Sequence, residues 1–319
     1  MKNNPQFIII GAAKAGTTSL YKKLNMHPDV FMSNPKEPEF FARDDIYDRG
    51  IDWYFNLFSN ASNTQVCGEA STLYSLTQLY PKTVVRMNEL LPNVKIIYVV
   101  REPIKRAFSY YTQLIKNYQN STKNYIVNRT FEECIFPEKF PNRVNREQFF
   151  ASFDQHLLDT PGTFIGGGMY MTNIENYLEF YNQENILLID FDDLVKNIDE
   201  VAAKICKFIG VDSSLFPENK EVRDNITSEY FKKIDKEIKK QNTIFKLKSM
   251  PGVERFKKII PQRLRRKVLA YFVNATYEKA EESRPEMMLS STNQYLKVFY
   301  KTEIEQLEKF WHKDLSMWK

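Results

Sequence analysis

The chain has 319 residues, of which 43% are hydrophobic and 14% aromatic, and its formal net charge is +5. This composition supports a substantial core and excludes a largely disordered chain, and no apolar run approaches the roughly 20 residues that a membrane-spanning helix needs. Three cysteines without metal-ligand spacing predict reduced, buried thiols, and Lys14 interrupts the apolar N-terminal run too early for a signal peptide. We therefore expect a cytoplasmic protein.

Apolar runs typical of buried parallel strands alternate with amphipathic helices along the first two thirds of the chain. The predicted strands are Phe7–Ile10, Gln65–Gly68, Ile96–Val100 and Ile186–Ile189. The predicted helices are one that ends at about Met26, Val84–Leu91, Ile104–Asn117, Asn173–Tyr181 and Val201–Ile209. This alternation predicts an α/β fold with a central parallel sheet between helices, and it places ligands at the carboxyl ends of the strands.

The character of the sequence changes after about Pro217. The stretches Glu229–Lys248 and Gln262–Val273 have charged helical patterns, and Tyr295–Phe310 reads as a closing helix. No linker rich in glycine or serine separates these parts. We therefore predict a single domain over residues 1–319, with a core of about 5–215 and a helical C-terminal lobe of about 216–319.

Positive charge concentrates in one stretch of that lobe. Between Phe231 and Lys267 there are 14 lysines and arginines but 3 acidic residues. A solvated charged face is the simplest interpretation. A contact of residues 232–267 with an anionic glycan or with the inner membrane surface, as a peripheral protein, is the alternative, because Phe256 and Ile260 lie beside the charges. Nucleic acid is not expected as a partner, since no binding motif accompanies the charge.

A glycine-containing loop follows the first predicted strand. Between Gly11 and Gly16 the chain turns into a helix, where backbone N–H groups and the helix dipole favour an anion, and Lys14 adds a charge. A tight turn capped by threonine is the plainer alternative. The two glycines have the spacing of the Walker A motif, but Thr17 stands where that motif has lysine, which argues against ATP or GTP hydrolysis.

The segment Phe7–Leu20 resembles the 5′-phosphosulfate-binding loop of sulfotransferases that use 3′-phosphoadenosine 5′-phosphosulfate (PAPS), in particular the heparan sulfate sulfotransferases and their bacterial relatives. The resemblance implies a three-layer fold like that of the P-loop kinases, with PAPS as the sulfuryl donor. It places Lys14 beside the bridging oxygen of the leaving phosphate. The residues that it assigns to the 5′ end of PAPS are Lys14, Ala15, Gly16, Thr17, Thr18 and Ser19.

A second motif, Arg101–Tyr111, follows the clearest predicted strand. Arg101 stands at the carboxyl end of that strand and Ser109 two helical turns later, so both side chains can reach one phosphate. A helix start at Pro103 with a solvated Arg106 is the alternative. The spacing resembles the family's 3′-phosphate motif, which implies that Arg101 and Ser109 bind the 3′-phosphate of PAPS.

A carboxylate, Glu69, follows the second predicted strand. Sulfuryl transfer to a hydroxyl needs a base that takes the acceptor's proton, and the resemblance assigns this role to Glu69. A helix-capping acid is the plainer interpretation of Glu69. Histidine is the base in another branch of the family, and here only His156 remains as a rival, because His27 and His312 do not follow strands.

Two further segments resemble the glycan-modifying branch. Lys36, in the segment Lys36–Phe41, is expected near the transferring sulfuryl group or an anionic acceptor. Trp53 and Tyr54 are candidate sugar platforms, although the spacing of Trp53, Leu57 and Phe58 favours core positions.

Later in the chain, a triple glycine before Tyr170 suggests a mobile strip beside the acceptor cleft, with Tyr170 as a substrate contact. Three aspartates at 190, 192 and 193 favour helix capping over a metal site. The family's late Lys-Gly-Arg loop is missing, and Lys220, Arg223 or the basic stretch are the candidates to replace it.

These motifs together favour transfer of a sulfuryl group from PAPS, without a metal, to a hydroxyl or amine of a small-molecule or glycan acceptor. The alternatives are a nucleotide kinase-like phosphotransferase with an altered P-loop and a non-catalytic nucleotide-binding protein. The combination of Lys14, Glu69, Arg101 and Ser109 argues against the non-catalytic alternative. The sequence specifies neither the acceptor nor the oligomeric state.

Overall fold

The structure is a computed structural model that describes residues 4–119, 130–135, 160–217 and 288–319. All of these residues belong to one compact unit, formed by Met1–Val222 and Met288–Lys319. The single-domain prediction extends beyond this unit, into residues outside the description, and stays a prediction. Glu229–Lys248, Gln262–Val273 and the basic stretch 232–267 also lie outside the described residues.

A five-stranded parallel sheet forms the centre of this unit. Its strands are β1 (Phe7–Gly11), β2 (Val30–Met32), β3 (Val66–Ala70), β4 (Lys95–Val100) and β5 (Ile186–Asp190). Their order across the sheet is β2-β3-β1-β4-β5. All pairs are parallel, and Ile9 of β1 lies in register with Ala70 on one side and Ile97 on the other. The carboxyl ends of β3, β1 and β4 therefore lie side by side.

The runs of isoleucine and valine are buried as predicted. Every residue of β1 is buried, and so is all of β4 except Lys95. Covering on both faces is what allows such uninterrupted apolar strands in a parallel sheet. The four predicted strands are confirmed with small shifts at their ends. Strand β2, which has three residues, was not predicted from the sequence.

Helices connect the strands and cover the sheet. Their bounds are α1 (Thr17–Leu24), α2 (Asp44–Tyr47), α3 (Ile51–Asn56), α4 (Thr83–Leu90), α5 (Pro103–Gln119), α6 (Phe131–Ile135), α7 (Thr160–Ile165), α8 (Tyr170–Leu178), α9 (Phe191–Lys196), α10 (Ile198–Ile209) and α11 (Ser290–Trp311). Short 3₁₀ turns are formed by Thr72–Ser75, Gly166–Gly168, Gln183–Asn185, Ser213–Leu215 and Ser316–Trp318. The predicted alternation of strands and helices is confirmed.

The closing helix α11 packs on elements that precede it by more than a hundred residues. Glu303 accepts hydrogen bonds from the backbone N–H and the hydroxyl of Thr172, at 2.8 and 2.9 Å. The Tyr300 hydroxyl donates to the carbonyl of Ile165 at 2.9 Å. The predicted closing helix is thus confirmed, and it belongs to the same unit as the sheet.

Two smaller observations concern the predictions from composition. The three cysteines, Cys67, Cys134 and Cys206, are buried as expected, and burial raises the pKa of Cys67 and Cys206 to about 11. Within the described ranges, no helix combines the length and the apolar character that crossing a membrane requires.

Candidate functional site

The loop between β1 and α1 has the backbone of an anion site. Lys14 and Gly16 both have left-handed backbone, with φ of 71° and 82°, which is typical of concave nests of N–H groups. A side chain at Gly11 would place its Cβ 2.3 Å from the Ser75 hydroxyl, so only glycine fits there. The first-turn N–H groups of α1 have no partner inside their own helix. The loop can therefore bind a phosphate through its backbone.

The predicted loop residues contribute unequally to this site. Thr18 is exposed and Ser19 partly exposed, whereas Thr17 is buried. Ala15 differs from these neighbours. Its side chain is fully buried and its N–H donates to the Ala12 carbonyl at 3.1 Å. Ala15 therefore helps to close the turn, and its contact with the nucleotide stays a prediction.

Lys14 connects the loop to both parts of the second motif. Its carbonyl accepts a hydrogen bond from Arg101 Nη1 at 2.9 Å, and its ammonium donates to Gln113 Oε1 at 3.0 Å. Gln113 lies one helical turn after Ser109 on α5, and residues four apart share a helix face. Lys14 thus lies between Arg101 and the face of α5 that carries Ser109.

Arg101 is fixed at the junction of β4 and α5. Helix α5 begins with proline, whose missing N–H costs nothing at this position, and the Glu102 carboxylate accepts from the N–H groups of Ile104 and Lys105 at 2.9 and 2.7 Å. The Arg101 guanidinium lies over the Phe191 ring, 4.3 Å from its centroid. Partial burial lowers the pKa of Arg101, but an arginine stays charged at neutral pH.

Tyr170 is buried and bonds the backbone of Arg101. Its hydroxyl donates to the Arg101 carbonyl at 2.6 Å and accepts from the Arg101 N–H at 3.2 Å. The side chain is 1% exposed, so an acceptor cannot reach it. The predicted substrate contact at Tyr170 is therefore replaced by a role in positioning Arg101. The sequence analysis had no signal for this pairing, because the two residues are 69 positions apart.

Two of the three glycines before Tyr170 are tightly packed, which argues against the mobile strip predicted from the sequence. A Cβ at Gly167 would lie 2.8 Å from the buried Arg106 guanidinium, and one at Gly168 would lie 2.9 Å from the Tyr300 hydroxyl. Arg106 Nη2 donates to the carbonyls of Thr163 and Phe164. The glycines allow close approach of α5 and α11, and Arg106 is buried rather than solvated.

Glu69 is buried inside β3, which argues against its predicted assignment as the base. Its side chain is 0% exposed, and its carboxylate accepts a hydrogen bond from the Tyr54 hydroxyl. Desolvation raises its pKa to about 7, against the opposing effect of the hydroxyls of Tyr54, Tyr74 and Ser71. An acceptor hydroxyl has no access to this carboxylate in the present conformation.

A second carboxylate, Glu37, lies at the same end of the sheet and is accessible. Its N–H donates to the carbonyl of Ala70, the last residue of β3, and its side chain is 29% exposed. The Thr72 N–H and hydroxyl donate to Oε2 at 2.6 and 3.2 Å, and Oε1 pairs with the Lys36 ammonium. Glu37 is a candidate base that the sequence analysis missed, since it lies in an irregular segment.

The segment that carries Glu37 is fixed by the turn after β3. The Glu39 N–H donates to the Ser71 hydroxyl at 3.0 Å, and the Phe41 N–H donates to the Tyr74 hydroxyl at 3.3 Å. Glu37 and Glu39 both have left-handed backbone, with φ of 61° and 56°. Such backbone in non-glycine residues is uncommon and often lies at functional sites.

The remaining acceptor-side candidates lie in the same neighbourhood. Lys36 pairs with Glu37, which keeps it a candidate for contact with the transferring group. Trp53 packs against the core with the Arg49 guanidinium over its ring at 5.0 Å, and Tyr54 is fully buried. Tyr54 therefore cannot be a sugar platform, and Trp53 is largely a core residue, as the helical spacing favoured.

The aspartates after β5 form a helix cap. The Asp190 carboxylate accepts from the N–H of Asp192 at 2.8 Å at the start of α9, which confirms the capping interpretation. In the part of the chain that the structure describes, no cluster of potential ligands for a metal ion is present. The rival base His156 and the candidates Lys220 and Arg223 lie outside the described residues.

Comparison with known proteins finds similar sequences and structures. The family model described as the sulfotransferase domain matches residues 4–282. Heparan sulfate glucosamine 3-O-sulfotransferase 5 of Homo sapiens is 29% identical over 191 residues, which are 60% of this chain and 49% of the relative. Bifunctional heparan sulfate N-deacetylase/N-sulfotransferase 1 of Xenopus laevis is 31% identical over 220 residues, 66% of this chain and 23% of the relative. The chain thus spans about half the length of the first relative and less of the second.

Among solved structures, the sulfotransferase from Alicyclobacillus acidocaldarius resembles this chain over its whole length. The TM-score is 0.64 at 23% sequence identity, with 99% of this chain and 98% of the other covered. At this identity the likeness establishes the fold. The predicted P-loop-kinase-like α/β architecture is confirmed by it.

Proposed function

The chain belongs to the sulfotransferase family, and on this premise we propose that it transfers a sulfuryl group from PAPS to a hydroxyl or amine of a carbohydrate acceptor. The observation that supports the proposal most directly is the pairing of two anion sites through one residue. Lys14 belongs to the phosphate loop, and its carbonyl accepts from Arg101, which starts the second motif. A nucleotide with phosphate at both its 3′ and 5′ positions needs two such sites close together.

The residues of the site fit the chemistry of PAPS. The loop from Gly11 to Ser19 offers backbone N–H groups and the hydroxyls of Thr18 and Ser19 to the 5′-phosphosulfate. Arg101 and Ser109 offer a guanidinium and a hydroxyl to the 3′-phosphate. PAPS supplies the sulfuryl group itself. The chain needs only to orient the donor, stabilise the charge that develops on the leaving phosphate, and accept a proton.

We assign these last two tasks to Lys14 and Glu37. The Lys14 ammonium is the cationic side chain of the phosphate loop and stabilises the leaving phosphate. Glu37 accepts the acceptor's proton, because it is accessible and is fixed at the carboxyl end of β3, next to β1. Its Oε2 is held by Thr72 and its Oε1 pairs with Lys36. Lys36 thereby orients the oxygen that takes the proton.

The acceptor class rests on the relatives. The two curated relatives are named for sulfation of heparan sulfate at a glucosamine hydroxyl and at a nitrogen. Because the chain spans only part of each, we propose a carbohydrate hydroxyl or amine without choosing between them. Nothing in the comparisons favours the kinase-like alternative.

Two measurements test the proposed function. Incubation with sulfur-labelled PAPS and a panel of glycan, lipid-linked and phenolic acceptors should transfer label to a carbohydrate. Calorimetry should show tight binding of 3′-phosphoadenosine 5′-phosphate (PAP) without metal and weak binding of ATP with Mg²⁺. A preference for ATP with Mg²⁺ would overturn the assignment. Lys14→Ala should impair both turnover and PAP binding.

We also propose a cytoplasmic location, on the basis of the three buried thiols. Contact of the basic stretch 232–267 with a membrane surface is the finer alternative to a solvated face. Sedimentation with anionic and with neutral vesicles distinguishes the two, because an electrostatic contact needs anionic lipid and weakens with salt.

A further inference from the structure

We propose that Glu69 is a positioning residue, whose buried carboxyl group fixes the segment Lys36–Phe41 and thereby the orientation of Glu37. The inference rests on the proposed function, in which Glu37 takes the acceptor's proton. Glu69 does not contact the acceptor. It acts through two tyrosines, Tyr54 and Tyr74, which lie between its carboxyl group and the segment.

Tyr54 provides the first connection. It is fully buried on α3, and its hydroxyl donates to Glu69. Its ring stacks on Phe40 with a centroid distance of 4.5 Å and meets Phe41 edge-on at 5.0 Å. The hydrogen bond to Glu69 sets the depth and rotation of this ring. The last two residues of the segment pack against it.

Tyr74 provides the second connection. Its hydroxyl lies against the Glu69 carboxyl group and accepts the N–H of Phe41 at 3.3 Å. Its ring meets the Phe41 ring edge-on at 5.6 Å. The turn that contains Tyr74 follows β3 directly, and this turn also supplies Thr72 to Glu37. Glu69 therefore lies at the junction of the turn and the segment.

Burial of the Glu69 carboxyl group costs more free energy than packing at this position requires. Burying an acid without a cation costs free energy that an apolar side chain of similar size avoids. Glu69 Oε1 makes no hydrogen bond of good geometry within the described residues, although the hydroxyls of Ser71 and Tyr74 lie against the carboxyl group. A role in orientation explains the cost, whereas packing alone does not.

Glu69 should also titrate near neutral pH, which gives the role a signature. Desolvation raises its pKa to about 7, and the charge of Glu37 contributes a smaller increase. The titratable groups that face it are Tyr54 from α3, Tyr74 from the turn, Tyr177 from α8 and Glu37 from the segment. The tyrosines have raised pKa values and stay protonated, so Glu69 is the group among them that changes charge near pH 7.

The test compares Glu69→Gln and Glu69→Leu, with Glu303→Gln as the control for loss of a buried carboxylate far from Glu37. Glutamine can still accept a hydrogen bond from the Tyr54 hydroxyl, and leucine cannot. We expect Glu69→Leu to lower kcat at least about tenfold with the Kd for PAP changed less than about twofold, as for lost orientation. Glu69→Gln should keep kcat within about threefold of wild type and lose an inflection of kcat near pH 7.

Amide hydrogen exchange gives a readout that does not need an acceptor. Glu69→Leu should speed exchange at Glu39 and Phe41, whose N–H groups bind the turn, while exchange in β1 stays unchanged. If Glu69→Gln is inactive while Glu37→Gln transfers normally, Glu69 is the base and the proposal is wrong. Wild-type exchange and kcat in Glu69→Leu would overturn it as well. If Glu69→Leu does not fold, the pH profile of Glu69→Gln decides, and an unchanged inflection contradicts the proposal.

These outcomes are separable from failure of the proposed function. If no carbohydrate accepts sulfate from PAPS, the sulfuryl-transfer proposal fails while the exchange data still show whether Glu69 fixes the segment. If transfer occurs but Glu69→Leu leaves the amide exchange rates at Glu39 and Phe41 unchanged, only the positioning role of Glu69 fails.

Discussion

At the scale of single residues, the donor side of the site depends on contacts to the backbone of Arg101. The Tyr170 hydroxyl bonds both the N–H and the carbonyl of that residue. The Arg101 guanidinium in turn donates to Lys14 and stacks on Phe191. A fully buried tyrosine can therefore control how the two elements proposed to bind phosphate face one another.

Tyr170→Phe tests this arrangement. Removal of the hydroxyl should weaken PAP binding about three- to tenfold, because a hydrogen bond of this kind contributes about 1 kcal/mol. Tyr177→Phe is the matched control, since Tyr177 is also buried on α8 but bonds the carbonyl of Tyr74. Both variants should lose similar stability in denaturant titrations, but only Tyr170→Phe should change the calorimetric Kd. Equal Kd values would exclude the positioning role of Tyr170.

Glu37→Gln tests the assignment of the base. Turnover should fall about 10²- to 10⁴-fold, the usual contribution of a positioned general base. The Kd for PAP should change little, because Glu37 lies on the acceptor side. Glu39→Gln serves as control, since Glu39 has the same left-handed backbone but pairs with Arg43. Near-normal turnover in Glu37→Gln would show that another residue is the general base.

Burial of Glu69 also predicts how stability depends on pH. Its pKa rises from 4.5 to about 7 on folding, so between these values the folded chain holds a proton that the unfolded chain has lost. The free energy of unfolding should therefore fall, through this group, as the pH rises from about 4.5 to 7. Urea titrations across this range should show the decline in wild type and a smaller decline in Glu69→Gln. Parallel curves for the two proteins would contradict the raised pKa.

At the scale of elements, the pattern of apolar residues predicted the positions of the longer buried strands. β1 and β4 are apolar runs buried almost throughout, and β5 is an apolar run buried over its last three residues. The positions of all three were predicted to within one residue at each end. β2 has three residues, too few to show a period. The motifs at the ends of β1 and β4 were predicted for the same reason, since each directly follows a recognisable strand.

The acceptor side could not be predicted in this way. The segment Lys36–Phe41 is irregular, and its conformation is fixed by hydrogen bonds to residues about 35 positions away. Glu69 and Glu37 are both carboxylates near the end of β3, so the sequence could not tell the buried one from the accessible one. Burial and long-range hydrogen bonds, which no local pattern encodes, made that distinction.

The packed glycines between α7 and α8 give a prediction at the element scale. Gly167→Ala should destabilise the fold by about 2 kcal/mol, as overpacking usually does, because its Cβ would meet the fixed Arg106 guanidinium. Gly166→Ala is the matched control, since its nearest neighbour would be a Gln78 oxygen 3.9 Å away. Thermal denaturation should separate the two neighbours clearly. Equal melting temperatures of the two variants would show that Gly167 is not tightly packed and would favour the mobile strip suggested by the sequence.

At the scale of the whole molecule, the C-terminal residues support the donor site across a long stretch of sequence. The Lys313 ammonium pairs with Asp190 and Asp193 at 2.7 and 2.6 Å, on either side of Phe191. The Trp318 ring lies 6.3 Å from that of Tyr170. The C-terminal end thus contacts the Tyr170 ring and the two aspartates on either side of Phe191, the residue that lies beneath the Arg101 guanidinium.

Lys313→Gln tests this support. Loss of the pairs should raise the Kd for PAP about two- to fivefold, within the range of partly exposed ion pairs, and the effect should shrink at high salt. Lys297→Gln, which removes an exposed contact to the Lys319 carbonyl, is the control. The two carboxylates raise the pKa of Lys313, so the contribution should persist at neutral pH and vanish only as the pH rises through that raised value. An unchanged Kd would show that the ion pairs of Lys313 do not support PAP binding.

The long separation between Lys313 and its partners, 120 positions in the case of Asp193, has a consequence for biosynthesis. On a ribosome, β1, β4 and β5 emerge and can pair well before α11 is made. The Arg101 region then lacks its C-terminal supports, so a nascent chain should have little affinity for the donor nucleotide. Stabilisation by the ligand should begin only after residues 288–319 have left the exit tunnel, so nucleotide capture should follow the synthesis of α11.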